Sequence, residues 1–137
     1  MMLRLERPVI ESIGRTTILV RDQDEALRFF TEQFGFRVIA DIALENGFRA
    51  LHVGPNGSET GFWLMPANGE EQQAQVGRQL AGEPLAVLYT ADCAATIAGL
   101  SSNGVEIRVP VTRESGAIFA HVLDLYGNEF VIVELVA

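Results

Sequence analysis

Residues 15–36, RTTILVRDQDEALRFFTEQFGF, read as a strand that turns at Asp22 directly into an amphipathic helix ending at Gly35. Thr16, Ile18 and Val20 alternate with Arg15, Thr17 and Leu19, so a strand is predicted over 13–20 with both faces partly apolar. Asp22 is a good helix N-cap, and Glu25 three residues later resembles a capping box, in which each side chain satisfies a free backbone N–H. Ala26, Leu27, Phe30 and Phe34 then recur at helical spacing and give one apolar face. Gly35 takes the left-handed conformation that ends a helix, and Phe36 can pack back on the last turn.

Working outward, residues 37–44 read as a second strand. Asn46-Gly47 is a hairpin turn, because both residues tolerate positive φ. Strands follow over 48–53 and 61–65, with the Gly54-Pro55-Asn56-Gly57 loop between them. The order is β-α-β-β-β. Residues 67–83 are the one long polar stretch and read as a linker, with a helical turn or two around 71–80 that Gly77 disfavours. Residues 85–90 are a strand again. Asp92 caps a short helix with Cys93, Ile97 and Leu100 on its apolar side, ended by Asn103-Gly104. Residues 105–111 are extended, with Pro110 marking an edge or bend. Ser115-Gly116 is a turn, and strands over 118–123 and 129–135 flank a tight turn at 124–128. Residues 1–10 are a short lead-in, where Pro8 argues against helix.

The second half repeats the first. Gly35 and Gly104, Gly47 and Gly116, and His52 and His121 are each 69 residues apart. The capping aspartates, Asp22 and Asp92, are 70 apart, which one deleted residue in the second helix explains. Three matches at one offset, with matching element order, argue duplication. The predicted class is therefore α+β, one domain over 1–137, with module one over about 10–66, a linker over about 67–83 and module two over about 84–137.

Composition bounds the function. The chain has 137 residues, 48% hydrophobic and 20% charged, enough for one compact core. The net charge of -8 disfavours nucleic acid and anionic membranes as partners and suits a cationic ligand better. Cys93 is the only cysteine, so no intrachain disulfide forms, which fits a reducing cytoplasm. The start has no signal-peptide pattern, and no apolar run approaches the ~20 residues needed to span a bilayer. There is no phosphate-binding glycine loop and no serine-nucleophile elbow.

Three stretches carry a family resemblance: ILVRDQDEALRFFTEQFGF, TADCAATIAGLSSNGVEI and DLYGNEFVIVEL. Together they resemble the vicinal oxygen chelate superfamily, which includes glyoxalase I, bleomycin-resistance proteins and extradiol dioxygenases. Leu125 stands where that family usually has proline. The resemblance implies duplicated βαβββ modules forming an eight-stranded cup with helices outside. It also implies a homodimer tendency, with the cup closed within one chain or by modules from two. In metal-using members four strand positions supply His, Gln or Glu ligands. By register these fall on Arg15, Phe62, Leu85 and Val131, none of which is a metal ligand. The expectation is a cup without metal or other cofactor.

The same comparison puts Arg15, Thr17, Leu19, Phe62, Leu64, Leu85, Val87, Tyr89, Val131 and Val133 on the cup face. Ile18, Val20, Trp63, Met65, Phe130 and Ile132 would face the helices. A mostly apolar cup with few polar groups is the make-up of a small-molecule pocket. Arg15 is the sharpest candidate: a guanidinium there would hold a carboxylate, phosphate or polarised oxygen, unless it is paired with an acid. His52 and His121, the two histidines, would hydrogen-bond a ligand, act as acid and base, or simply be satisfied strand residues. Thr17 and Tyr89 add hydrogen-bonding capacity. Cys93 sits at a helix start, where the dipole can favour a thiolate, but a lone cysteine is more often buried and inert. Glu134 is expected to face away from the cup as a solvated carboxylate. These features suit a metal-free binding protein of the sequestration or resistance type. The alternative is a lyase or dioxygenase of the same superfamily, metal-dependent or using Arg15 with a histidine for acid–base chemistry.

Overall fold

The computed structural model describes residues 8–136. The first seven residues of the lead-in, and Ala137, lie outside them. Module one comprises β1 (Arg15–Val20), α1 (Gln23–Arg28, continuing as a π-helical turn over Phe29–Gln33), β2 (Arg37–Ala43), β3 (Arg49–Gly54) and β4 (Gly61–Pro66). The linker holds α2 (Gly69–Gln75). Module two comprises β5 (Ala86–Tyr89), α3 (Cys93–Ser102), β6 (Glu106–Glu114), β7 (Ala117–Leu123) and β8 (Glu129–Leu135). Each module folds into a four-stranded sheet, in the orders β1-β4-β3-β2 and β5-β8-β7-β6. In both, the first strand pairs parallel with the last, and the rest are antiparallel. The α+β class and the duplicated βαβββ order are as the sequence predicted.

Both helices start on aspartate caps: Asp22 accepts from the Glu25 amide and Asp92 from the Ala95 amide, each at 3.0 Å. They end differently. α3 closes with paired bonds from Gly104 to Ser101 (3.0 Å) and Val105 to Leu100 (2.9 Å), with Gly104 at φ 89°. α1 carries one residue more between its cap and its glycine and takes up the surplus in the π turn, where the Phe34 amide reaches Phe29 at 2.9 Å. The change of offset from 70 to 69 is therefore an insertion accommodated inside a helix.

A second surplus residue was not anticipated. Six residues connect β3 to β4, but five connect β7 to β8. Across this turn the offset falls again, so Trp63, not Phe62, is the counterpart of Val131: His52 pairs with Trp63, and His121 pairs with Val131. The predicted face of β4 is corrected accordingly. Phe62 and Leu64 pair with Thr16 and Ile18 and lie on the helix side, buried with Ile18 and Val20. Trp63 and Met65 pair with Thr17 and Leu19 on the face turned away from the helices, called the cup face below. A one-residue slip exchanges the two faces of a strand, which is what separates expectation from structure here. In module two the predicted faces agree with the register: Val87 pairs with Val131 and Tyr89 with Val133, opposite in parity to buried Phe130 and Ile132.

The core lies between the sheets and the helices and is shared by the modules. Phe130 of β8 packs on Phe34 (5.4 Å between ring centroids), Phe62 (5.8 Å) and Phe30 (6.4 Å), all from module one. Reciprocal bonds join the helix ends, Gln33 Nε2 to the Asn103 carbonyl (3.1 Å) and Asn103 Nδ2 to the Gln33 carbonyl (3.2 Å).

The linker also ties the halves. Its helix spans 69–75, earlier than the sequence suggested, and Gly77 follows at φ 77°. Gln79 then satisfies the outer edge of β1: its Oε1 accepts from the Leu19 amide (2.7 Å) and its Nε2 donates to the Thr17 carbonyl (3.0 Å). A side-chain amide here substitutes for a neighbouring strand on an otherwise open edge.

Candidate functional site

Two polar groups stand on the cup faces, one per sheet, each built on a histidine. In module one the Arg15 Nε donates to His52 Nδ1 at 3.1 Å. The Arg15 Nη1 donates to the Gly14 and Glu59 carbonyls, both at 2.7 Å. All three acceptors are neutral, so among the described residues no carboxylate neutralises this guanidinium. Burial, and then the Arg15 charge, hold the His52 imidazole below its ordinary range, so it is neutral near pH 7. The Trp63 ring lies 6.0 Å from His52, centroid to centroid, and its buried indole N–H has no hydrogen-bond partner among the described residues.

In module two, Glu129 is 8% exposed and holds two partners. Arg108 Nη1 donates to its Oε1 at 2.9 Å, and His121 Nδ1 contacts its Oε2. Local topology explains the contact. Leu123 and Glu129 face each other where β7 enters and β8 leaves the tight turn, and His121 is two residues back on the same face. The turn is fixed by buried Asp124, whose carboxylate accepts from the Tyr126 and Asn128 amides and from Asn128 Nδ2 at 2.8–2.9 Å. Burial pushes the Asp124 carboxyl up, and these hydrogen bonds oppose the shift.

The structure brings Arg15 and His52 together, with Thr17 and Trp63 on the same sheet face. It places His121, Val131 and Tyr89 on the corresponding face of the second sheet. Leu85 bonds through its amide to the Glu129 carbonyl at 2.7 Å and packs against the core. Phe62 and Leu64 are not on the cup face. Phe62 instead lines a crevice of about 310 Å³ between the modules, with Thr16, Pro55, Ala86 and Leu88. An adjoining crevice of about 160 Å³ shares Pro55 and Leu88 and touches Tyr89. Neither crevice contains a histidine.

Three residues escaped the sequence reading: Trp63, Arg108 and Glu129. Trp63 was assigned to the wrong face by the loop surplus. Glu129 had a usable signal, being one turn away from His121 in a hairpin.

Cys93 is buried, and burial, followed by the charges of Glu134 and Asp92, pushes its thiol up, which agrees with an inert lone cysteine. One further expectation is corrected. Glu134 is half-buried and accepts from the Cys93 amide at 2.8 Å, capping α3 instead of standing in solvent. Native protein is therefore expected to resist a thiol reagent for as long as urea-unfolded protein takes to react fully. Rapid labelling of the native state would contradict this placement of Cys93.

The residues do not fit a metal at the positions that metal-using relatives employ. Arg15, Leu85, Val131 and Trp63, which replaces Phe62 in the corrected register, supply no oxygen or imidazole donor, and a guanidinium repels a divalent ion. Among the described residues no three His, Cys, Asp or Glu side chains converge on a common point. No helix among them is long and apolar enough to cross a membrane.

Comparison with known proteins gives a consistent picture. Residues 12–132 match the family model of the Glyoxalase/Bleomycin resistance protein/Dioxygenase superfamily. The chain is 28% identical over 126 residues to the uncharacterized protein YetH of Bacillus subtilis (strain 168), covering 92% of this chain and 100% of that one. The crystal structure of UcmS2 superposes with a TM-score of 0.80 at 28% identity, covering 92% of this chain and 99% of UcmS2. That of TnmS3, an antibiotic binding protein from Streptomyces sp. CB03234, superposes with a TM-score of 0.78 at 25% identity, covering 94% and 99%.

Proposed function

The chain belongs to the glyoxalase/bleomycin resistance protein/dioxygenase superfamily, and from that premise we propose that it is a metal-free binding protein that holds a small, partly apolar molecule against its cup faces. One observation carries the reading: where metal-using relatives place ligands, the cup faces have apolar side chains and an arginine whose charge is not neutralised by a carboxylate. Arg15 would hold an anionic or polarised oxygen of the ligand. Thr17, His52, Trp63, Tyr89, His121 and Val131 would line the remainder. The similarity to an antibiotic binding protein supports the class of ligand.

A thermal-shift screen of small molecules tests this, with Arg15→Ala and Tyr89→Phe as controls. For a carboxylate-bearing hit, Arg15→Ala is expected to weaken binding by about 1.5–3 kcal/mol, the scale of a hydrogen bond to a charged group. Hits indifferent to every cup substitution would remove the cup as the site. Stoichiometric Zn, Ni, Mn or Fe in protein purified without added metal would overturn the metal-free reading.

We further propose that two copies complete the cup. In the single chain the lining of β5 and β8 is open: Val87 is 55% exposed, Tyr89 73% and Leu135 68%. A second copy laying its β1–β4 face over this surface would cover that apolar area and join Arg15 and His52 to His121. Sedimentation at micromolar concentration is expected to show a dimer, and a monomer there would sink the idea.

The His121–Glu129 contact favours one second reading, a metal-free enzyme in which a carboxylate-held imidazole moves a proton. Turnover that survives chelation, and is lost in Arg15→Ala or His52→Ala, would establish it over binding alone.

A further inference from the structure

His52 and His121 occupy equivalent positions in the two modules, and among the described residues each has a single hydrogen-bond partner, at Nδ1. The partners are chemically opposite. A guanidinium N–H can only donate, so the Nδ1 of His52 facing Arg15 Nε carries a lone pair. A neutral imidazole with a bare Nδ1 has its proton on Nε2. An ionised carboxylate can only accept, so the Nδ1 of His121 facing Glu129 carries the proton. In the neutral ring its Nε2 is then a lone pair. Arg108 Nη1 donates to the other oxygen of Glu129 at 2.9 Å, so both oxygens of that group are engaged.

We infer that the duplicated histidines are wired into opposite tautomers, His52 presenting an N–H donor and His121 a lone-pair acceptor, and that the cup is built for a ligand with an acceptor oxygen at one end and a hydroxyl or N–H at the other. The ligand class rests on the cup reading above; the tautomers do not. Each rule is local: the partner's chemistry fixes Nδ1, and Nδ1 fixes Nε2. The Trp63 ring lies 6.0 Å from His52, centroid to centroid, and flanks the donor pole with an apolar surface. The acceptor pole has its base oriented by a buried carboxylate, and the Phe119 ring lies 5.9 Å from His121. A hydroxy-ketone or an amide on an apolar frame matches the chemistry of both poles, whereas a plain hydrocarbon satisfies neither and a dianion is repelled at the second.

Two measurements test this. With two histidines in the chain, long-range ¹H–¹⁵N spectra of the free protein assign each ring's protonated nitrogen directly. The expected result, above the titration of both rings, is Nε2–H for His52 and Nδ1–H for His121, with Arg15→Leu scrambling the first and leaving the second. The same tautomer in both rings would overturn the inference, whatever binds. The second measurement is a calorimetric titration with para-hydroxybenzophenone, para-methoxybenzophenone and para-benzylphenol, which present the ketone with the hydroxyl, the ketone without a donor, and the hydroxyl without the ketone. The first is expected to bind roughly tenfold tighter than either of the others, a difference of about 1.4 kcal/mol. Equal affinities refute the ligand class and leave the cup as the site. If none of the three binds, the cup reading itself fails and takes the ligand class with it, while the tautomers stand on the spectra.

Discussion

Phe130→Ala is expected to lower stability by about 3–5 kcal/mol, read as a fall in the urea midpoint at unchanged slope. The ring is fully buried on β8 and meets Phe30, Phe34 and Phe62 of the other module at centroid separations of 5.4–6.4 Å. Its neighbours come from a helix and a strand fixed by their own hydrogen bonds, so the space left by the ring cannot close cheaply. A domain of this size has about 5–15 kcal/mol in total, so this single truncation removes a large share. Tyr89→Ala serves as the contrast, because that ring is 73% exposed in the single chain. A Phe130→Ala loss below about 1 kcal/mol would show that the modules do not share one core.

The second large effect is expected at Gly77, in the linker. Its φ of 77° lies in the left-handed region, where an added Cβ costs roughly 1–2 kcal/mol by itself. The Cβ would also lie 2.0 Å from the Tyr126 carbonyl oxygen and 3.0 Å from its carbon. That carbonyl belongs to the turn pinned by Asp124, so the linker must move instead. Gly77→Ala is therefore expected to cost several kcal/mol by adding lost linker contacts to the strain. Two residues on, Gln79 would lose its grip on β1, so the Leu19 amide, bonded to Gln79 Oε1, should exchange with solvent far faster. Gln79→Ala should reproduce the faster exchange at a smaller stability cost, about 1–2 kcal/mol for two hydrogen bonds. A Gly77→Ala variant as stable as the parent, with Leu19 still protected, would show that the linker does not press on the Tyr126 turn.

Much of the fold was legible because its signals are local. Asp22 and Asp92 cap helices through their own chemistry, Gly35 and Gly104 end them, and Gly47 and Gly116 turn hairpins at positive φ. What was not legible depended on counting across a loop. A surplus residue inside α1 was visible as a changed offset, since the aspartates precede it and the glycines follow it. The surplus residue between β3 and β4 was hidden, because no matching pair of residues in β4 and β8 marked the new offset. It moved Trp63 onto the cup face and Phe62 off it. The Arg15–His52 contact reaches between β1 and β3, which β4 separates, so no spacing along the chain predicts it. The crosslink from Gln79 to β1 spans 60 residues, and glutamine carries no sequence mark for such a role.

Trp63 is the one tryptophan in the chain, and it stands on the cup face beside His52. The protein therefore carries its own optical reporter at the place where a ligand is proposed to sit. Emission excited at the red edge of protein absorbance comes from this single indole, with no second ring to dilute it. Its colour follows the polarity around the ring, and its intensity follows nearby quenchers. A change in either, saturating with added compound, reads out occupancy of the cup in unlabelled protein. The misplaced residue of the sequence reading is thus the one that makes the site observable.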